Sequence, residues 1–287
     1  MTNHSSPAPP IGGFQEIDGR RLFVHRSGSG GPAVVFLPGA SAVGLDYFGV
    51  QQRVSEFTTA VAYDRGGTGY SDPLPLPRTA AAVAAELHEL LRAQSIPGPY
   101  VLVAHSLGGF YAHRFAQLHP RDVAGLVWLD AIHRDWDDFM PPAASLAAAE
   151  RTADLEQVKQ QRPALRDVLA DMYAAYPEHL RQPLIDARTS DEWLRTGVAE
   201  RTGLGEIADE LRAGPGLPDV PLIALTVLGS DPAEQEMHDG RRRMDAALVG
   251  SVPRGEQRLL AGTSHHRLCF DRPDAVVQAI RDVIDRL

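Results

Sequence analysis

Apolar and polar positions along this chain follow two alternating periods, and the switches between them predict a layered α/β protein. Short runs rich in β-branched and apolar residues read as buried strands: Ala33-Val-Val-Phe-Leu37, Thr59-Ala-Val-Ala-Tyr63, Tyr100-Val-Leu-Val-Ala104, Val123-Ala-Gly-Leu-Val-Trp-Leu129, Leu222-Ile-Ala-Leu-Thr-Val-Leu228 and Arg258-Leu-Leu-Ala261. Between them, helical spacing covers 80–94, 107–118 (Phe110, His113, Phe115 and Leu118) and 274–287. Strands that are apolar on both faces and alternate with helices imply a mostly parallel sheet covered on each side. The apolar strands spread from Val34 to Leu260 without a Pro/Gly/Ser linker, so one sheet accounts for them. The alternation fails once, between Asp130 and Leu222, a stretch too long for one crossover. It reads as helices over 144–161, 163–176, 177–188 and 190–199, with Gly203-Leu-Gly205 as a break. The expected organisation is a disordered 1–12, a core of 13–134 and 214–287, and a helical insertion over 135–213.

Composition narrows the picture. A formal charge of −9 over 287 residues, with no long basic run, argues against a nucleic-acid partner and favours neutral or cationic ligands. The single cysteine, Cys269, excludes an intramolecular disulfide. The first residues, Met1-Thr-Asn-His-Ser-Ser-Pro, lack the charged-then-apolar pattern of a signal segment, and no apolar run approaches spanning length. A cytoplasmic location without a membrane partner is the expectation; oligomeric state is left open.

The candidate chemistry centres on Tyr100-Val-Leu-Val-Ala-His-Ser106-Leu-Gly108, where a strand drives into a serine and then a helix. A serine attacks well only if its hydroxyl stands clear of neighbours, and a sharp strand-to-helix turn achieves this through a strained backbone. The small residues Ala104 and Gly108, two to either side, let so tight a turn form. Ala33-Val-Val-Phe-Leu-Pro-Gly39-Ala40-Ser41 ends a strand in Pro-Gly, a turn able to aim amides at an anion. Two adjacent histidines, His265 and His266, follow the last strand, and either supplies a base. Metal binding by the pair is disfavoured, since neighbouring side chains diverge and no cysteine cluster or His-Glu-x-x-His accompanies them. His105, next to Ser106, reads as structural, as do Asp64 and Asp72 in their glycine-rich loop.

Four blocks resemble the α/β-hydrolase superfamily: Leu-Pro-Gly39-Ala40, Asp64-Arg-Gly-Gly-Thr-Gly-Tyr-Ser71, Ala104-His-Ser106-Leu-Gly108, and Ser264-His-His266 followed by Asp271-Arg-Pro273. The resemblance runs from about Gly13 to Leu287, and the subgroup it looks most like shares the Leu129-Asp130-Ala131 segment with bacterial esterases and polyketide chain-releasing thioesterases. It implies an α/β-hydrolase fold with the insertion as a cap, and a triad in the order nucleophile, acid, base. Ser106 is then the nucleophile, His266 the base by its distance from Asp271-Arg-Pro273, and Asp130 the acid in preference to Asp231. The backbone amides of Ala40 and Leu107 become the oxyanion donors. Trp136, Phe139, Met140, Met172, Tyr173, Tyr176 and Trp193 either face the site or pack the cap. The implied activity is hydrolysis of an ester, thioester or lactone of a largely apolar small molecule, with no cofactor and no metal. The alternatives are an aminopeptidase or amidase, with Asp137-Asp138 or Glu178 holding an amine, and a binding protein that has lost turnover.

Overall fold

The structure, a computed structural model, describes residues 8–151, 154–229 and 234–287. Among these, eight strands form one sheet: β1 (Gly13–Ile17), β2 (Arg20–Ser27), β3 (Val34–Leu37), β4 (Ala60–Tyr63), β5 (Tyr100–His105), β6 (Val123–Leu129), β7 (Leu222–Val227) and β8 (Gly255–Leu260). The spatial order is β1-β2-β4-β3-β5-β6-β7-β8. β2 pairs antiparallel with β1 and β4, and every pairing from β4 to β8 is parallel. This is the mostly parallel sheet expected from the strand pattern, in the α/β-hydrolase arrangement that the motif resemblance implies. β3 to β7 are buried along their whole length, as sheets covered on both faces require.

Two apolar layers sandwich the sheet. Helices Ala80–Ala93 and Gly108–Leu118 cover one face through Leu87, Leu91, Phe110 and Phe115; Phe48–Val54 and Pro273–Ile284 cover the other through Val50, Val54, Val276 and Ile280. The hairpin β1–β2 was absent from the sequence reading. β1 is short and half exposed, β2 is buried only at Leu22–His25, and the two-residue turn uses Asp18 and Gly19, both at positive φ (49° and 73°), the geometry that matches strand twist. Of the stretch expected to be disordered, residues 1–7 lie outside the described residues, and Ile11 is packed against the cluster containing Phe23.

Between β6 and β7 the described chain forms seven α-helices: Trp136–Phe139, Leu146–Arg151, Leu155–Gln160, Arg162–Met172, Glu178–Arg188, Asp191–Ala199 and Leu204–Arg212. Trp136–Phe139 falls in no expected helix, and two further stretches differ from expectation. The stretch 144–161 is divided, with Asp154 capping the second piece by accepting from the Glu156 amide at 2.9 Å. Leu204–Arg212, within the expected insertion, packs Leu204, Ile207, Ala208 and Leu211 into the same cluster as Phe110 and Tyr111. It thereby bridges the insertion, whose Trp136 and Leu146 share that cluster, and the helical layer of the core.

Candidate active site

β5 ends at His105, and Ser106 follows with φ at 50°, the left-handed region that non-glycine residues adopt only under local constraint. The constraint comes from packing. A Cβ on Gly108 would come within 2.1 Å of the Leu37 carbonyl oxygen, and one on Gly39 within 2.8 Å of the Ser106 Cβ. Only glycines let the end of β3 and the start of the helix close around the serine. The Ser106 carbonyl accepts from the Gly109 and Ile132 amides, both at 2.9 Å, tying the turn to the end of β6. Ser106 itself lines a cavity of about 740 Å³.

Asp130 follows β6, also at positive φ (47°), and is almost wholly buried. Its Oδ1 accepts from the Val227 amide at 3.1 Å, and its Oδ2 lies 2.7 Å from His265 Nδ1. The geometry corrects one expectation: the imidazole that meets Asp130 belongs to His265, one residue before His266. β8 stops at Leu260, and the loop turns through Gly262 (φ 73°). Adjacent side chains in such a loop diverge, so only one can reach Asp130. His266 instead lays its ring edge-on against His265, centroids 4.8 Å apart, and also lines the cavity. His105 has the structural part expected of it: its Nε2 is 2.9 Å from the His265 carbonyl oxygen, fixing the loop.

A residue that the sequence reading missed, Arg241, completes the cluster. Its guanidinium pairs with Asp130 Oδ2, approaches His265 Nδ1 at 3.1 Å and lies over the Trp136 ring. Burial by itself raises the Asp130 carboxyl, but Arg241 and the His265 hydrogen bond outweigh it and hold the group well below the usual carboxylate range. His265 is pushed down to about 4, because burial and Arg241 lower it by more than the bond to Asp130 raises it. At neutral pH the imidazole is uncharged. With Nδ1–H donating to the carboxylate, Nε2 carries the free lone pair.

The loop after β3 is held from behind. Arg65 is buried, and its guanidinium donates to the Pro38 carbonyl at 2.6 Å, to the Gly39 carbonyl at 3.1 Å and to Glu200. The Gly39–Ala40 peptide is not among the cis bonds of the structure. In a trans unit the N–H points opposite to the carbonyl, so capturing the Gly39 oxygen turns the Ala40 amide away from Arg65. Ala40 and Leu107 both line the cavity beside Ser106, and among the described residues neither amide has a protein acceptor. Asp64 ties down its loop by accepting from the Gly44 and Tyr70 amides at 2.6 and 2.9 Å, and Asp72 pairs with Arg21. Asp231, the alternative acid, lies outside the described residues.

A family model for the alpha/beta hydrolase family matches residues 34–279. The chain belongs to that family. Among solved structures, this hydrolase is similar to the epoxide hydrolase CorEH, with 20% identity, a TM-score of 0.73, and 95% of this chain and 97% of that chain covered. It is also similar to an esterase from Exiguobacterium antarcticum, with 18% identity, a TM-score of 0.67, and 96% and 100% covered. An uncharacterised protein of Schizosaccharomyces pombe, C23C11.06c, is 40% identical over 82 residues, 29% of this chain and 15% of that protein. The match thus spans a small part of that curated relative. No described helix is long and apolar enough to cross a membrane.

The hydrolase's cavity is walled by the insertion. Trp136, Met172 and Trp193 line it, together with Leu165, Leu194 and Phe270, whereas Phe139, Met140, Tyr173 and Tyr176 do not. The two tyrosines anchor the insertion: their hydroxyls donate to the Asp46 side chain and, at 2.7 Å, to the Asp46 carbonyl. Away from the cavity, His88, His119 and Asp122 lie close enough to suggest a metal site. The two rings stack at 3.9 Å and 5°. In-plane lone pairs of parallel stacked rings do not converge on one ion, so this cluster is a poor metal ligand set.

Proposed function

We propose that the protein is a serine hydrolase that cleaves an ester, thioester or lactone of a largely apolar small molecule through an acyl-enzyme on Ser106. The observation that carries this reading is Ser106, mounted on a left-handed strand-to-helix turn in the cavity shared with the Asp130-held imidazole of His265. Ser106 Oγ attacks the acyl carbonyl while His265 Nε2 takes its proton and later gives it to the leaving alcohol or thiol. Asp130 fixes the tautomer and stabilises the imidazolium. The Ala40 and Leu107 amides receive the oxyanion, each contributing roughly 3 kcal/mol to the transition state. Water then repeats the sequence on the acyl-enzyme.

The apolar lining supports an apolar acyl or alcohol portion. The aminopeptidase reading lacks support, because neither Asp137, Asp138 nor Glu178 lines the cavity, and Asp137 is engaged with the Leu146 amide at 2.8 Å. Epoxide opening through an aspartyl nucleophile is disfavoured by Ser106 itself. The test is intact-mass detection of a fluorophosphonate adduct, comparing wild type with Ser106→Ala. An adduct on the folded wild type alone is the expected result. Equal labelling of both, or none of the folded wild type, removes Ser106 from its role.

A further inference from the structure

We propose that the substrate carries a carboxylate and that Arg201 binds it, making the enzyme selective for half-esters of short dicarboxylic acids; this rests on the esterase reading above. Three arginines line the cavity, Arg188, Arg201 and Arg241. Arg188 is neutralised by Asp46 and Arg241 by Asp130. Among the described residues, Arg201 has no carboxylate within ion-pair distance. Its neighbour Glu200 is committed elsewhere, one oxygen to Arg65 and the other to the Ser41 amide at 2.8 Å. Among the described residues, Arg201 is therefore the one arginine of the cavity lining without a direct ion pair, in an otherwise acidic protein.

The surroundings of Arg201 are built to hold it. Nη1 donates to Ser41 Oγ at 2.6 Å and to the Gly197 carbonyl. Ser41 sits at φ 61°, a left-handed conformation for a residue with a side chain. Helix Asp191–Ala199 approaches it so closely that a Cβ on Gly197 would lie 2.1 Å from Ser41 Oγ. One nitrogen is thus used for anchoring. Nε and Nη2 have no protein partner among the described residues, and neither is among the fully buried unpartnered polar atoms, so both remain accessible on a residue that lines the cavity. Burial, with a contribution from Arg188, shifts the guanidinium below its ordinary pKa even though Glu200 nearby pulls the other way, as expected of a cation that has lost water and shares its nearest carboxylate with Arg65.

A carboxylate is the ligand that fits. Its two oxygens match the edge of a guanidinium, and its single charge complements that of Arg201. Ser41 is one residue beyond Ala40, about 4 Å along the backbone. An anion on Arg201 therefore lies within a short acyl chain of a carbonyl at the Ala40 amide. The apolar part of the substrate is then its alcohol portion, for which the lining offers Leu165, Val168, Met172 and Leu194.

The experiment compares kcat/KM for the p-nitrophenyl half-esters of glutarate and adipate with those for p-nitrophenyl valerate and hexanoate. The wild type is expected to favour the half-esters by about tenfold or more, the size of a charge-assisted hydrogen bond. In Arg201→Met the ratio falls to near one, and in Arg201→Lys, which keeps the charge but not the edge, part of it remains. Turnover of both ester classes without preference, or a ratio unchanged in Arg201→Met, overturns the carboxylate site while leaving the esterase reading intact. Calorimetry on Ser106→Ala with monomethyl glutarate and methyl valerate separates binding from chemistry. Binding of the glutarate monoester that Arg201→Met abolishes, in a protein that turns over neither ester, upholds the site and overturns the hydrolase reading; equal weak binding of both overturns the site.

Discussion

Asp130 can orient one imidazole only, because its Oδ1 is bound to the Val227 amide and its Oδ2 already serves His265 and Arg241. His265→Ala and Asp130→Asn are therefore each expected to lower kcat/KM on a p-nitrophenyl ester by about 10³- to 10⁴-fold in a protein that stays folded by circular dichroism. His266→Ala, which removes a cavity wall and an edge contact, should cost less than about tenfold. The reverse ranking would return the base to His266. The placement of Ser106 and Asp130 was legible because each is a polar residue following a continuous apolar strand, and the structure puts both there at positive φ. The choice between His265 and His266 was not legible. It depends on how the loop after β8 turns through Gly262, and spacing from the following proline says nothing of that turn.

The helix Gln235–Gly250 supplies Arg241, and through it a pH dependence. Burial disfavours imidazolium most, and the positive charge of Arg241 beside the ring adds to it, bringing His265 down to about 4. The base is active when neutral, so kcat/KM should rise with pH through an apparent pKa near 4 and be flat across neutrality. Its other neighbours, Asp130, His105 and His266, do not alter that sign: Asp130 raises the value but is outweighed, and His105, pushed to about 3, is uncharged there. Removing the charge in Arg241→Met should move the acid limb upward, toward the ordinary histidine range. A limb unmoved by the substitution would show that Arg241 does not act on the base, and a wild-type limb at 6 to 7 would show that burial and Arg241 together do not depress it. Sequence pattern could not reveal this, because the helix is mostly polar and its few apolar residues give a weak periodicity. The β1–β2 hairpin, by contrast, had a readable sign in Asp18-Gly19, but its half-exposed strands do not stand out beside fully buried ones.

At the scale of the molecule, net charge and local charge part company. A chain with formal charge −9 presents to its cavity Arg188, Arg201 and Arg241 against Asp46 alone among the ionisable carboxylates of the lining. Insertion and core are joined by another long-range contact that no local pattern predicts, the Arg65–Glu200 pair, with both side chains 2% exposed. The pair has two separable functions. As buried charges, each makes the other tolerable, so Glu200→Ala should destabilise the protein by about 3 to 5 kcal/mol in urea unfolding. As a donor to the Pro38 and Gly39 carbonyls, Arg65 also turns the Ala40 amide toward the cavity. A double variant, Arg65→Met with Glu200→Leu, removes both charges and should recover part of the lost stability, since an apolar pair replaces an ion pair at little cost. It cannot restore the carbonyl anchors. Its kcat should remain about 100-fold down, as for loss of one oxyanion donor. A double variant that turns over at the wild-type rate would show that the Ala40 amide holds its orientation without Arg65, leaving the buried pair a purely structural link between insertion and core.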